Sequence, residues 1–182
     1  MPRKLLLLLL PLIVLVVGGI YIISRPKHTT NQTAQKKTLL AFGDSVAAGV
    51  GLPTASDISQ CDRTGESYPT VLAKKLDYSL TSYACSGATI NEGLLGPQKV
   101  GDGSVPAQVD QAANLMPDAI TLTIGANDVG WSAYLTKCAI ATCGDSQDTQ
   151  ELSTKLAVLN TSLSSALERL HSTHATPIYL TG

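Results

Sequence analysis

The strongest constraint on this chain is its alternation of short apolar runs with segments of helical periodicity. Thr38-Leu39-Leu40-Ala41-Phe42 is a continuous apolar run that ends in Gly43, as a strand buried on both faces of a parallel sheet requires. Further strands are predicted at Leu80 to Ala84, Ala119 to Ile124 and Pro177 to Thr181. Helices are predicted between them, over Tyr68 to Leu76, Val105 to Leu115 and Gln150 to about Leu170. In the last of these, Leu152, Leu156, Leu159, Leu163, Leu167 and Leu170 recur at helical spacing and mark a core-facing stripe. Strands alternating with helices in this way imply an α/β layered fold with a mainly parallel sheet.

With 182 residues, 44% of them hydrophobic, the chain is long enough for one globular domain with an ordinary core. A net charge of −1 gives no basic excess for nucleic acid, and 4% aromatics argue against a stacking platform for bases or sugars. Arg3 and Lys4 precede an apolar stretch from Leu5 to Ile23, long enough as a helix to cross a hydrocarbon core of ~30 Å. No good small-x-small cleavage site closes it, which favours reading residues 1–23 as an uncleaved membrane anchor, with the domain extracytoplasmic; the alternative is a signal peptide, whose cleavage would leave the domain secreted. Basic residues flank both ends, so charge leaves the orientation open. Residues 24–37 are polar, without periodicity, and read as a flexible linker to a folded domain over 38–182.

Cys61, Cys85, Cys138 and Cys143 form an even set with no C-x-x-C pair and no histidine at zinc-ligand spacing. Disulfides in an oxidising, extracytoplasmic compartment are therefore expected, and no metal or cofactor is. Four cysteines allow three pairings; the short separation of Cys138 and Cys143 favours a local bridge, which leaves Cys61 with Cys85.

Three blocks follow predicted strands, where an α/β sheet gathers its ligands. Gly43-Asp44-Ser45 with Gly49 places a serine just past the first strand. The glycines suit a tight turn, and Asp44 is short enough to brace neighbouring backbone. Cys85-Ser86-Gly87 offers a backbone N–H without side-chain obstruction, and Gly125-Ala126-Asn127-Asp128 offers a side-chain amide. Each alone reads as an ordinary cap or turn. Together they bring a hydroxyl nucleophile, a backbone donor and an amide donor to one sheet edge. Acyl transfer needs that set, because negative charge develops on the carbonyl oxygen as the serine attacks.

On these blocks, with Cys61, Arg63 and Tyr68-Pro69 between them and the cysteine pair after the third, the chain from about Leu39 to Gly182 resembles the SGNH, or GDSL-type, hydrolases. The likeness is narrowest to the secreted, disulfide-containing bacterial lipases and esterases. The resemblance implies a three-layer, flavodoxin-like sandwich and an ester hydrolase acting on a small-molecule or lipid ester through an acyl-enzyme. It makes Ser45 the nucleophile and forms the oxyanion hole from the Ser45 N–H, the Gly87 N–H and the Asn127 side chain. It pairs Cys61 with Cys85 and Cys138 with Cys143.

The family's late Asp-x-x-His or bare His block has no match before Gly182, so the chain is expected to lack its general base and to be inactive as written. Glu168-Arg169-Leu170-His171 imitates an acid and histidine, but His171 and His174 precede the last predicted strand and belong at its amino end. Five strand residues separate that end from Ser45 by about 17 Å, far beyond the ~3 Å reach of a base. A non-catalytic, membrane-anchored module binding acyl or glycan ligands is the alternative expectation.

Overall fold

A computed structural model describes residues 35–53 and 60–181. The anchor and nearly all of the linker expected over 1–37 lie outside the described residues. Among those described, no helix is long and apolar enough to cross a membrane.

The central sheet contains β1 (Thr38–Gly43), β2 (Ser79–Ser82), β5 (Ala119–Thr123) and β6 (Ile178–Leu180), in the order β2-β1-β5-β6 and parallel throughout. Leu39 pairs with Ala119 and Gly43 with Thr123, while Ile120 pairs with Ile178. All four carboxyl ends therefore share one edge. Beyond β2 the chain stays attached to β1 through Tyr83 N–H to Ala41 O and Cys85 N–H to Gly43 O, both 2.9 Å.

Alternation along the strands divides the core. Leu40, Phe42, Ile120 and Leu122 join Ile90, Leu94, Val109, Ala112, Ala166 and Leu170 in one buried cluster. A second, smaller cluster joins Ala47 and Ala48 to Ala84, with Tyr68 packed against it. The helices are α1 (Ser45–Ala48), α2 (Tyr68–Leu76), α3 (Gln108–Gln111), α4 (Trp131–Ile140) and α5 (Ser146–Thr173). The expected α/β architecture with its parallel sheet is the one observed.

The elements differ from expectation in three places. The helix predicted over Val105 to Leu115 is cut down to the single turn α3, and a hairpin that was not predicted, β3 (Gln98–Val100) with β4 (Gly103–Val105), precedes it. Pro106 disfavours helical backbone at Val105, and Gly101 at φ +56° lets the hairpin turn. Helix α4 was not predicted, and none of its residues is buried. Helix α5 is longer than expected, 28 residues or about 42 Å. Strands of three to six residues span only about 10–20 Å. Accordingly Leu159, Leu163, Leu167 and Leu170 meet the core, whereas Leu156, nearer the helix start, is exposed.

Candidate active site

Ser45 is the first residue of α1, directly after β1. Asp44 caps that helix, its Oδ1 accepting the Val46 N–H at 2.9 Å, as the sequence led us to expect. The connection is tight: Asp44 N–H donates to Thr123 O at 3.0 Å. A Cβ at Gly43 would sit 2.2 Å from Thr123 O, and its φ is +144°, so glycine is required there. Gly43 is also gripped at both ends by one buried side chain. Its N–H donates to Gln108 Oε1 at 2.8 Å, and its carbonyl accepts from Gln108 Nε2 at 2.9 Å.

The three blocks are bonded to one another as well as aligned on adjacent strands. Asn127 donates one Nδ2–H to Ala88 O at 2.8 Å. The Asp128 carboxylate accepts the Ile90 N–H at 3.0 and 3.3 Å. These two bonds fasten the loop after β2 to the loop after β5, and the Cys85 to Gly43 bond fastens it to the loop after β1. Both cysteine pairs are joined, Cys61 to Cys85 and Cys138 to Cys143. The first lies under the middle block, where Ser86 N–H also donates to Cys61 O at 3.1 Å.

The donors left over matter most. As the first helical residue, Ser45 has an N–H without an intrahelical acceptor. Among the described residues neither that N–H nor the Gly87 N–H donates a hydrogen bond, and one Nδ2–H of Asn127 is uncommitted. Gly87 is exposed and its N–H is open to solvent or ligand, whereas Asn127 is half-buried. Ser45 itself is half-buried, with no partner for its hydroxyl among the described residues.

Burial is the main influence on the Asp44 carboxyl and raises its pKa above the ordinary 3.8. The N–H groups of Val46 and Asp44 oppose that shift, and the nearby charge of Asp128 adds to it. A cleft of about 470 Å³ opens beside Asn127 and Asp128, lined also by Thr89, Asn91, Lys155 and Val158, a size that suits a small organic ligand.

The two histidines among the described residues lie at the other edge. His174 caps the carboxyl end of α5, is buried, and places Nδ1 3.2 Å from Leu115 O, before β5 begins. His171 is in the exposed last turn of α5. Both precede β6, at the amino end of the sheet. The sequence reading did not single out Gln98, Gln108 or the Asp128 carboxylate, nor the hydroxyl cluster in which Tyr68, Thr123 and Thr181 bond mutually at the carboxyl ends of β5 and β6. Sequence separations of 12 to 113 residues leave no local signal for such contacts.

Residues 41–182 match the GDSL-like lipase/acylhydrolase family. The chain belongs to this family. Over 139 residues it is 28% identical to a lipase from Streptomyces rimosus, covering 75% of this chain and 47% of that protein. The crystal structure of the extracellular lipase from Streptomyces rimosus superimposes with a TM-score of 0.63 at 25% identity, over 80% of this chain and 59% of that one. The structure of phospholipase A1 from Streptomyces albidoflavus shares the fold, with a TM-score of 0.56 at 20% identity over 81% and 59% of the two chains. This GDSL-like chain thus spans about half the length of the curated relative it matches.

Proposed function

We propose that the chain carries the nucleophile and oxyanion hole of an ester hydrolase. In this reading the Ser45 hydroxyl attacks an ester carbonyl. The tetrahedral oxyanion accepts hydrogen bonds from the Ser45 N–H, the Gly87 N–H and the free Nδ2–H of Asn127. An acyl-enzyme forms on Ser45 as the alcohol leaves, and water hydrolyses it. The observation that carries the reading is the set of three uncommitted N–H donors on loops bonded to each other around a serine at the carboxyl edge of the sheet. Membership of the GDSL-like family and likeness to a lipase support an acyl ester as substrate.

Attack requires a base for the Ser45 proton. His171 and His174 are at the far edge, so the base in this proposal comes from outside the described residues. The two disulfides suit an oxidising compartment, and the apolar run of residues 1–23 supports a membrane tether for the domain.

The test is hydrolysis of a short-chain nitrophenyl ester by the full chain and by Ser45→Ala. When the base is supplied, by a longer form of the protein or by added imidazole, we expect hydrolysis that falls by on the order of 10⁴-fold or more in the variant. Equal rates in the two proteins would remove Ser45 from the reaction.

A further inference from the structure

The Gly87 N–H and the Ser86 carbonyl belong to one peptide unit, and no peptide bond among the described residues is cis. In a planar trans peptide the carbonyl and the N–H point to opposite sides. Whatever holds the Ser86 carbonyl therefore sets the direction of the Gly87 N–H. That task falls to Gln98, at the start of β3, whose Nε2 donates to Ser86 O at 2.7 Å.

Three details indicate that the contact is built around this peptide. Gln98 is only 6% exposed, yet its Oε1 is buried without a partner, an arrangement that costs stability. A methionine would fill the same volume without an orphaned carbonyl; what glutamine adds is the N–H that meets Ser86. Next, the amide lies in space left by a glycine: a Cβ on Gly93 would be 2.8 Å from Oε1, while one on Gly87 would be at ordinary contact distance from Nε2. Finally, Gly87 sits at φ +80°, and a glycine leaves the peptide before it free to rotate between several orientations. An external hydrogen bond is what selects one.

We propose that Gln98 is a positioning residue that locks the Ser86–Gly87 peptide with its N–H aimed at the oxyanion formed by Ser45. Donation to the carbonyl also polarises the peptide, so the N–H on its other side becomes a stronger donor. This inference rests on the reading of Ser45 as nucleophile and Gly87 as oxyanion donor.

With the base supplied in every case, the experiment compares the full chain with Gln98→Met, which removes the donor and keeps the length, and Gln98→Glu, which keeps the shape and substitutes an acceptor. Five quantities are read: kcat and KM on nitrophenyl butyrate, inhibition by phenylboronic acid, Tm, and the orientation of the Ser86–Gly87 peptide in crystals. The boronate adduct of Ser45 puts an oxygen where the oxyanion forms, whereas KM reports ground-state binding. We expect kcat to fall about 10²-fold in Gln98→Met with KM within about twofold. Boronate affinity should fall alongside kcat, Gln98→Glu should be at least as impaired, and the peptide should be rotated. A merely structural brace would lower Tm and leave kcat and boronate affinity of the folded protein intact, and that result would overturn the proposal. If the wild-type chain with its base supplied shows no hydrolysis that depends on Ser45, the underlying reading has failed. Peptide orientation in Gln98→Met then decides the positioning role alone: rotated supports it, unrotated refutes it.

Discussion

At the scale of single residues, the site depends on which hydrogen bonds are made and which are withheld. Asn127 divides its amide, one N–H tying down Ala88 O and the other left uncommitted, which the proposed function assigns to the oxyanion. Asn127→Ala should lower kcat by about 10²–10³-fold while KM changes little; a rise in KM at constant kcat would assign the amide to ground-state binding. Asp44 gives a pH signature. Its carboxyl titrates above the ordinary 3.8 because it is buried, so the native state holds the proton more tightly than the unfolded chain does. The stability associated with that proton is fully present below about 3.8 and is lost as pH rises through the elevated native value. Asp44→Asn keeps a capping acceptor without the ionisation. Its stability relative to wild type, measured by urea unfolding, should therefore increase with pH from about 4 upward. A difference that stays flat or declines would contradict the assignment.

At the scale of elements, each strand is anchored by a different balance of forces. The apolar run that became β1 was legible because it is buried on both faces, and β5 followed for the same reason. Asn127 and Ser45 could be placed from their positions after those strands alone. The hairpin β3–β4 was not legible, because its strands are only three residues each, and the helix read over Val105 to Leu115 is limited to one turn behind Pro106. Helix α4 gave no periodic signal because it buries nothing. It is held instead by the Cys138–Cys143 bridge and by Lys137, whose amine pairs with the Asp148 carboxylate in the first turn of α5. The leucine stripe of α5 was readable as a stripe, but spacing contains no information on where the sheet beneath it ends. Leu170→Ala should cost about 2–5 kcal/mol, whereas Leu156→Ala should stay within about 0.5 kcal/mol. Chemical denaturation of the two variants checks this; similar losses at both positions would mean that the whole stripe is covered.

At the scale of the whole molecule, four parallel strands with one common carboxyl edge turn three unremarkable turn sequences into a single site. The motifs supplied the residues that the proposed function assigns to the substrate, and the glutamines and carboxylates that hold those motifs in place came only from the fold. Gln108 clamps Gly43 from 65 residues away, and Gln98 reaches Ser86 from a hairpin that the sequence reading did not predict. The same topology separates His171 and His174 from Ser45 by the length of the sheet, which is why proximity in sequence to an acidic residue misleads. Covalent labelling of the full chain, with its base supplied, by a nitrophenyl phosphate triester tests the central claim most directly, with the adduct located by mass spectrometry. The account predicts a single phosphoryl adduct on Ser45 that is absent from Ser45→Ala. Labelling of another residue with loss of esterase activity, or undiminished labelling in Ser45→Ala, would contradict it.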